Sequence, residues 1–385
     1  MNRSSLHHPK DVLRRKRATL LPQKRREEPD GRWWLPPSVG FPPFAQPRII
    51  TALGQQFHRH MRQEEIVVRR CAITGADGMI GRYLVQALRA AGVETRALLL
   101  PDVQAPAFFG DVEIVRGDVR DGVLVNQLVH GTDAVFHLAA LVGRAANGVS
   151  LEAARAVNVT GTRNVLDAIS RRSQARMILL SSCCVYGLHG MVDQVLDENS
   201  PHAPLPLPYD ISKTEAEELV CAADPATTPW SILQIPVALG GVHTLAQPTA
   251  TSLIRLARTG LSPQPMRSTV WANYVFGADV AAALVALAEH PDALGQTFIH
   301  SESVPLPTLL AWIASEFGIR SRSIPVPHLT LRAAARASPS AMVLANRRRF
   351  SNAKITRDIG YYAPFGLEYG LRETIRHYRA SGLIS

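Results

Sequence analysis

The sequence predicts an α/β fold, a parallel sheet covered by helices on both faces, and three observations carry that expectation. A glycine turn near residue 75 joins a β-branched run to an amphipathic helical pattern. Downstream, apolar runs too continuous for half-buried strands recur between helical periods. And 46% of the 385 residues are hydrophobic against 19% charged, enough for one large or two moderate folded domains.

The first strand is expected at Ile66 to Ile73, running straight into Thr74-Gly75-Ala76-Asp77-Gly78-Met79-Ile80-Gly81, where the glycines follow G-x-x-G-x-x-G. Met79, Ile80, Tyr83, Leu84, Ala87, Leu88 and Ala91 then recur with helical period until Gly92. Positions without side chains let the backbone approach a pyrophosphate, and the free N–H groups and dipole of a helix start favour its charge. Taken alone, the pattern reads equally well as a tight turn. Its context is a series of further strands at Glu94 to Leu100, Val112 to Arg116, Ala134 to Ala140, Met177 to Ser182 and Ser231 to Val237, with a long helix through Ala153 to Ser170. A ligand crevice is expected at the carboxyl ends of such strands.

No apolar run reaches the roughly 18 residues of a membrane helix, so no membrane span is expected. Cys71, Cys183, Cys184 and Cys221 show no C-x-x-C spacing, which argues for a reduced, cytoplasmic setting and gives no metal motif. Residues 1–60 hold 12 Lys+Arg against 4 Asp+Glu, which is eight of the ten net positive charges. They read as a basic, Pro-rich, disordered extension. With only +2 left for residues 61–385, no nucleic-acid groove is expected on the folded part.

Tyr209-Asp210-Ile211-Ser212-Lys213 sets a phenol and an ammonium four apart, on one face of a helix. Ser182 ends the preceding strand, where a parallel sheet exposes it to the crevice. Oxidising a secondary alcohol requires removal of its proton, and a free tyrosine, with a pKa of about 10, is a poor base unless a cation such as Lys213 stands beside it. In reverse, Tyr209 would protonate a carbonyl oxygen while Ser182 donates a hydrogen bond to it. His137 reads as a buried histidine satisfied by its surroundings rather than as a catalyst.

Combined in this order, these motifs resemble the extended short-chain dehydrogenase/reductase family, the NAD-dependent epimerase/dehydratase group, over residues 66 to 385. The resemblance implies a doubly wound Rossmann domain at 66–242 plus about 271–300. It also implies a smaller, discontinuous substrate domain at about 243–270 plus 301–385. The glycine turn looks like the family's Gly75, Gly78 and Gly81, with Asp77, Met79 and Ile80 between; Asp118 with Val119 is similar to its adenine contact. Leu138-Ala139-Ala140 resembles the signature lining the cofactor, Asn158 belongs to the next helix, and Ile235, Tyr209 and Lys213 complete the implied cofactor set. The cofactor is NAD or NADP. Asp102, after the second strand, tilts the choice to NAD, although neither code is present at Leu100.

Family enzymes acting on nucleotide sugars carry an Asn, a Tyr-Gly-Pro and an Arg where this chain has Val237, Leu239-Gly240-Gly241 and Ala272. The diphosphate clamp is therefore incomplete, unless Arg255, Arg258 or Arg267 replaces it. Cys183-Cys184 stands where dehydratases have an Asp-Glu pair, which disfavours dehydration. Cys184 matches an acid/base cysteine of some family epimerases, with His243 near the matching loop; the blander reading is a packed small residue. The expected function is an oxidoreductase or epimerase moving hydride at a secondary alcohol or ketone of a small polar metabolite, nucleotide sugars included, with homodimerisation a family habit. The alternative is a non-catalytic dinucleotide-binding sensor or scaffold.

Overall fold

The computed structural model describes residues 66–142, 148–172, 175–187, 190, 192–241, 248–266, 268–327, 330, 333 and 344–384. The basic extension at 1–60, His243 and Arg267 lie outside the described residues.

Seven parallel strands form the main sheet: β1 (Arg70–Thr74), β2 (Glu94–Leu99), β3 (Glu113–Arg116), β4 (Ala134–His137), β5 (Arg176–Ser182), β7 (Trp230–Ile235) and β11 (Gln296–Ile299). Their order is β11-β7-β5-β4-β1-β2-β3. The order reverses beside β1, which pairs with both β2 and β4, and right-handed crossovers place helices on both faces of such a sheet. Strand alternation sorts the core accordingly. Cys71 and Ile73 face one cluster with α1 (Met79–Ala90) and α6 (Gly277–Glu289). Ala72 faces the other, with α2 (Gly122–Val129) and α3 (Leu151–Arg172). The first strand is shorter than its apolar run: Ile66 and Val67 are 40% and 59% exposed, because β1 finds partners only from Arg70 onward.

Short elements build a third core beside the sheet. β8 (Val237–Leu239), β10 (Trp271–Phe276) and β12 (Glu302–Pro305) form one small sheet. β9 (Leu261–Pro265) pairs with β13 (Arg322–Val326), and β6 (Gln194–Leu196) with β14 (Arg348–Phe350). Leu239, Tyr274, Leu306 and Leu371 share a cluster with α5 (Pro248–Ala257), α7 (Leu306–Ser315) and α9 (Leu367–Ala380). Two carboxylates, the buried Asp279 and the half-buried Glu302, tie α9 down at its positive end: Asp279 accepts the Phe365 and Gly366 N–H groups at 3.0 Å each, and Glu302 accepts that of Leu367 at 2.8 Å. α4 (Pro208–Cys221) follows a proline-rich loop and starts with Pro208 inside its first turn, where a missing N–H costs nothing. Among the described residues no helix is long and apolar enough to cross a membrane.

Candidate active site

The chain leaves β1 through Gly75, whose φ of +72° is a left-handed conformation that suits glycine. A Cβ there would stand 2.7 Å from the Ala139 nitrogen and 2.8 Å from the Leu138 carbonyl carbon, so the turn lies directly against the chain leaving β4. Leu138 and Ala139 in turn donate to the Thr74 carbonyl and Thr74 Oγ1 at 3.1 and 3.2 Å. They and Ala140 sit beyond the last residue of β4 rather than within it, because the chain bends there to meet the turn. Gly78 caps α1 with no side chain on the helix's first N–H groups, and Gly81 is packed where any Cβ would strike the Gly75 carbonyl. Met79 and Ile80 open α1. Asp77 lends its carbonyl to Arg82 Nε at 2.7 Å. A side-chain-free cradle facing free helix N–H groups fits a dinucleotide pyrophosphate.

Beyond β3, Arg120 holds the Asp118 carboxylate through Nη2 at 2.8 Å and its backbone N–H at 2.9 Å. This keeps the Asp118 carboxyl below its ordinary range. Val119 is buried, its carbonyl accepts Asn164 Nδ2 at 2.9 Å, and it packs against Gly161, where a Cβ would not fit. Asp102 lies exposed on the turn after β2. Arg116 donates to the Leu100 carbonyl at 3.3 Å and to that of Val103.

His137 ends β4 in a one-way hydrogen-bond chain. Thr162 donates its hydroxyl to the Asn158 carbonyl at 2.6 Å, so toward His137 Nε2, 3.0 Å away, it accepts. Nδ1 then accepts the Thr74 hydroxyl at 2.7 Å. The imidazole is neutral, and burial, with Lys213 adding to it, pushes its pKa down to about 3. Asn158 accepts the Leu141 N–H at 2.7 Å and donates to Ser212 Oγ at 2.9 Å; Ser212 donates to the Tyr209 carbonyl at 3.1 Å. Two helices are thereby fixed around the start of α4.

Ser182 closes β5, in register with Ile235 of β7, and its Oγ accepts the Cys184 N–H at 3.2 Å. The Tyr209 phenol is hydrogen-bonded to Ser182. Burial pushes Tyr209 upward, with Cys184 and Asp210 adding to it. Lys213, 4% exposed, donates to the Leu180 carbonyl at 2.8 Å, and burial lowers its pKa. Cys184 is buried, and its thiol is pushed up to about 12 by burial, with Asp210 adding to it. Asp210 is itself buried, with a carboxyl pushed up to about 6 by its desolvation. The structure brings Ser182, Tyr209, Lys213 and Asn158 together at the carboxyl edge that also bears the Gly75 turn. Thr74 and Ser212, which help orient His137 and Asn158, carry no pattern visible in the sequence, whereas Thr162 belongs to the Gly161-Thr162 stretch that resembles the family's helix after the fourth strand. Glu217, one turn beyond Lys213, was detectable from its spacing.

The profile of the NAD dependent epimerase/dehydratase family matches residues 71–299. The chain is 28% identical over 330 residues to the ceramide reductase of Caulobacter vibrioides, covering 81% of this chain and 95% of that protein. It is 36% identical over 148 residues to the N-acetyl-alpha-D-glucosaminyl-diphospho-ditrans,octacis-undecaprenol 4-epimerase of Escherichia coli O157:H7, spanning 38% of this chain and 41% of the relative. A short-chain dehydrogenase/reductase superfamily protein from Agrobacterium tumefaciens, solved with NAD bound, superposes with a TM-score of 0.62 at 22% identity, over 81% of this chain and 97% of that one.

Proposed function

The chain belongs to the NAD dependent epimerase/dehydratase family, and we propose that it interconverts a ketone and a secondary alcohol, working mainly as a reductase. The observation that carries this reading is the Tyr209 phenol hydrogen-bonded to Ser182, with the buried Lys213 four residues on in the same helix. A bound nicotinamide supplies the hydride. The Ser182 hydroxyl holds the carbonyl oxygen, and the Tyr209 phenol, kept protonated by burial, delivers its proton to that oxygen as the carbon is reduced. Lys213 lowers the cost of the phenolate left behind. His137 and Asn158 hold position only, and Cys184 packs without taking part as acid or base.

Gly75, Gly78 and Gly81 cradle the pyrophosphate in this reading, with Asp77, Met79 and Ile80; Asp118 and Val119 meet the adenine. Leu138, Ala139, Ala140 and Ile235 line the way to the reacting ring. Asp102 supports NAD as an acceptor for ribose hydroxyls, whereas Arg116 beside the same turn supports NADP. The small sheet and third core form the substrate side, and the similarity to a ceramide reductase over nearly its whole length supports an uncharged ketone.

The test is nicotinamide absorbance with the purified protein, NADH or NADPH, and a panel of N-acyl amino ketones set against UDP-sugars. Tyr209→Phe should cost about 10²–10⁴-fold in turnover while sparing dinucleotide affinity. Unchanged turnover refutes the assignment, and preference for a UDP-sugar refutes the uncharged substrate.

A further inference from the structure

The proposed chemistry leaves one buried carboxylate unused. Glu217 is 1% exposed and lies one turn beyond Lys213 on α4, so the two share a face. Its Oε2 accepts the Ser181 hydroxyl at 2.5 Å. Its Oε1 accepts Gln234 Nε2 at 2.6 Å and faces His202 Nε2 at 3.4 Å. Tyr186 donates its hydroxyl to the Gln234 carbonyl oxygen at 2.8 Å, which fixes the amide so that its nitrogen must turn to Glu217. The Tyr186 ring meets the imidazole edge-on at 5.5 Å.

Ser181, Gln234 and Tyr186 are all buried, whereas the His202 side chain is 30% exposed. The network therefore runs from a solvent-facing imidazole to within one helical turn of the ammonium. Lys213 and Glu217 also grip consecutive residues of β5, Leu180 through its carbonyl and Ser181 through its hydroxyl. A carboxylate this deep needs compensating charge, and among the described residues the cations in reach are Lys213 and, when protonated, His202.

We propose that His202 and Glu217 set the electrostatic bias on Lys213 and Tyr209 from outside the cleft, a role that rests on those two being the working pair. A proton taken by His202 from solvent offsets Glu217 and leaves the ammonium's field to act on the phenol. Its loss returns the carboxylate's opposing field. The contact with Glu217 already raises His202 above its ordinary value, with Glu218 adding to it. The other titratable groups facing the pair are Cys221 on α4 and Cys183, Cys184 and Tyr186 on the turn after β5, all pushed upward by burial and so neutral near pH 7. Glu198 acts on Cys183 and Tyr186, and Asp210, at about 6, acts on Cys184 and Tyr209. Because Asp210 titrates nearby, the readout is taken on His202 itself.

Linkage is reciprocal: if His202 biases Lys213, the Lys213 charge must bias His202. The experiment follows histidine Cε1–H resonances by NMR in carbon-13-labelled full-length protein, with His202 identified by the peak lost in His202→Gln. In Glu217→Gln the His202 midpoint should fall by about one pH unit. In Lys213→Met it should rise by about half a unit, because a repelling cation has been removed, and Lys213→Arg should restore the wild-type value. An unmoved midpoint in Glu217→Gln or Lys213→Met overturns the proposal, as does a rise in Lys213→Arg equal to that in Lys213→Met, which would mark repacking instead of charge. No substrate or cofactor is present, so shifted midpoints in a protein inactive toward every ketone would sink the catalytic reading alone.

Discussion

Gly75 and Gly92 have nearly the same backbone conformation, φ of +72° and +73°, in different surroundings, and that pairing allows a controlled test of the dinucleotide seat. A Cβ at Gly92 meets nothing within 4 Å. Gly92→Ala therefore carries only the left-handed backbone cost, about 1 kcal/mol. A Cβ at Gly75 would lie 2.7–2.9 Å from three backbone atoms of residues 138 and 139, roughly half an ångström inside ordinary contact, and backbone cannot rotate away as a side chain can. Overpacking of this kind costs about 1–3 kcal/mol, so Gly75→Ala should lose about 2–4 kcal/mol in all. The relief available is for the turn to lift off β4, which carries the N–H groups at the start of α1 away from the proposed pyrophosphate seat. One charge-assisted hydrogen bond lost there, about 1.5–3 kcal/mol, weakens dinucleotide binding by about 10- to 150-fold. Urea unfolding of both variants and calorimetric titration with NAD and NADP read the two effects. Equal destabilisation of the two variants, with dinucleotide affinity unchanged in Gly75→Ala, would refute the reasoning about the seat.

Arg176, 4% exposed at the start of β5, donates to the carbonyls of Leu287, Ala288 and His290 at 2.8, 3.3 and 2.7 Å, so its charge meets the negative end of α6. Burial lowers its pKa to about 10, still fully charged at neutral pH; Arg176→Met should cost about 2–4 kcal/mol in urea unfolding after the recovered desolvation is set against two lost short bonds, and a loss under about 0.5 kcal/mol would contradict this. Cys71, Cys183 and Cys184 are buried with thiols pushed upward, so all three should stay unreacted with a thiol reagent at pH 8 until the protein is denatured. Cys184→Ser should keep turnover within about threefold, and a hundredfold loss would restore an acid/base role to that thiol.

What the sequence made legible was whatever the backbone imposes locally. The glycine turn, the strands after it and the Tyr209–Lys213 spacing are periodicities of adjacent residues, and they recur in the structure, though β4 stops at His137 and β7 at Ile235, with Val237 passing to β8 of the small sheet. The misreadings are long-range. Ile66 and Val67 look like strand, yet pairing partners begin only opposite Arg70. Leu138 to Ala140 look like strand continuation, yet Thr74 captures the N–H groups of Leu138 and Ala139 and bends the chain. Thr74 and Ser212 meet His137 and Tyr209 across separations of 63 and 3 residues, and a lone hydroxyl residue has no periodicity to betray it. His202 and Glu217, 15 positions apart by their numbering, are joined only because the proline-rich loop folds back over α4.

The two sheets differ in how far they can change. Ser182, Tyr209 and Lys213 belong to β5 and α4, held by the main sheet, whereas the positions of the missing diphosphate clamp, Val237 and Ala272, belong to β8 and β10 of the small sheet. Ala272 is 1% exposed within the third core. An arginine there would bury a guanidinium among Val270, Tyr274 and Leu306, a penalty of several kcal/mol without a carboxylate to meet it. Arg267 lies outside the described residues, and the other two substitutes are committed elsewhere or turned outward. Arg258 lies over the Phe317 ring at 5.3 Å, beside Arg379 at 4.4 Å, and Arg255 is exposed on α5. A diphosphate brought against β8 and β10 would lose water and meet alanine and valine in return, while an uncharged ketone would lose almost nothing. The proposed hydride chemistry would thus rest on one sheet while its neighbour disfavours a charged substrate.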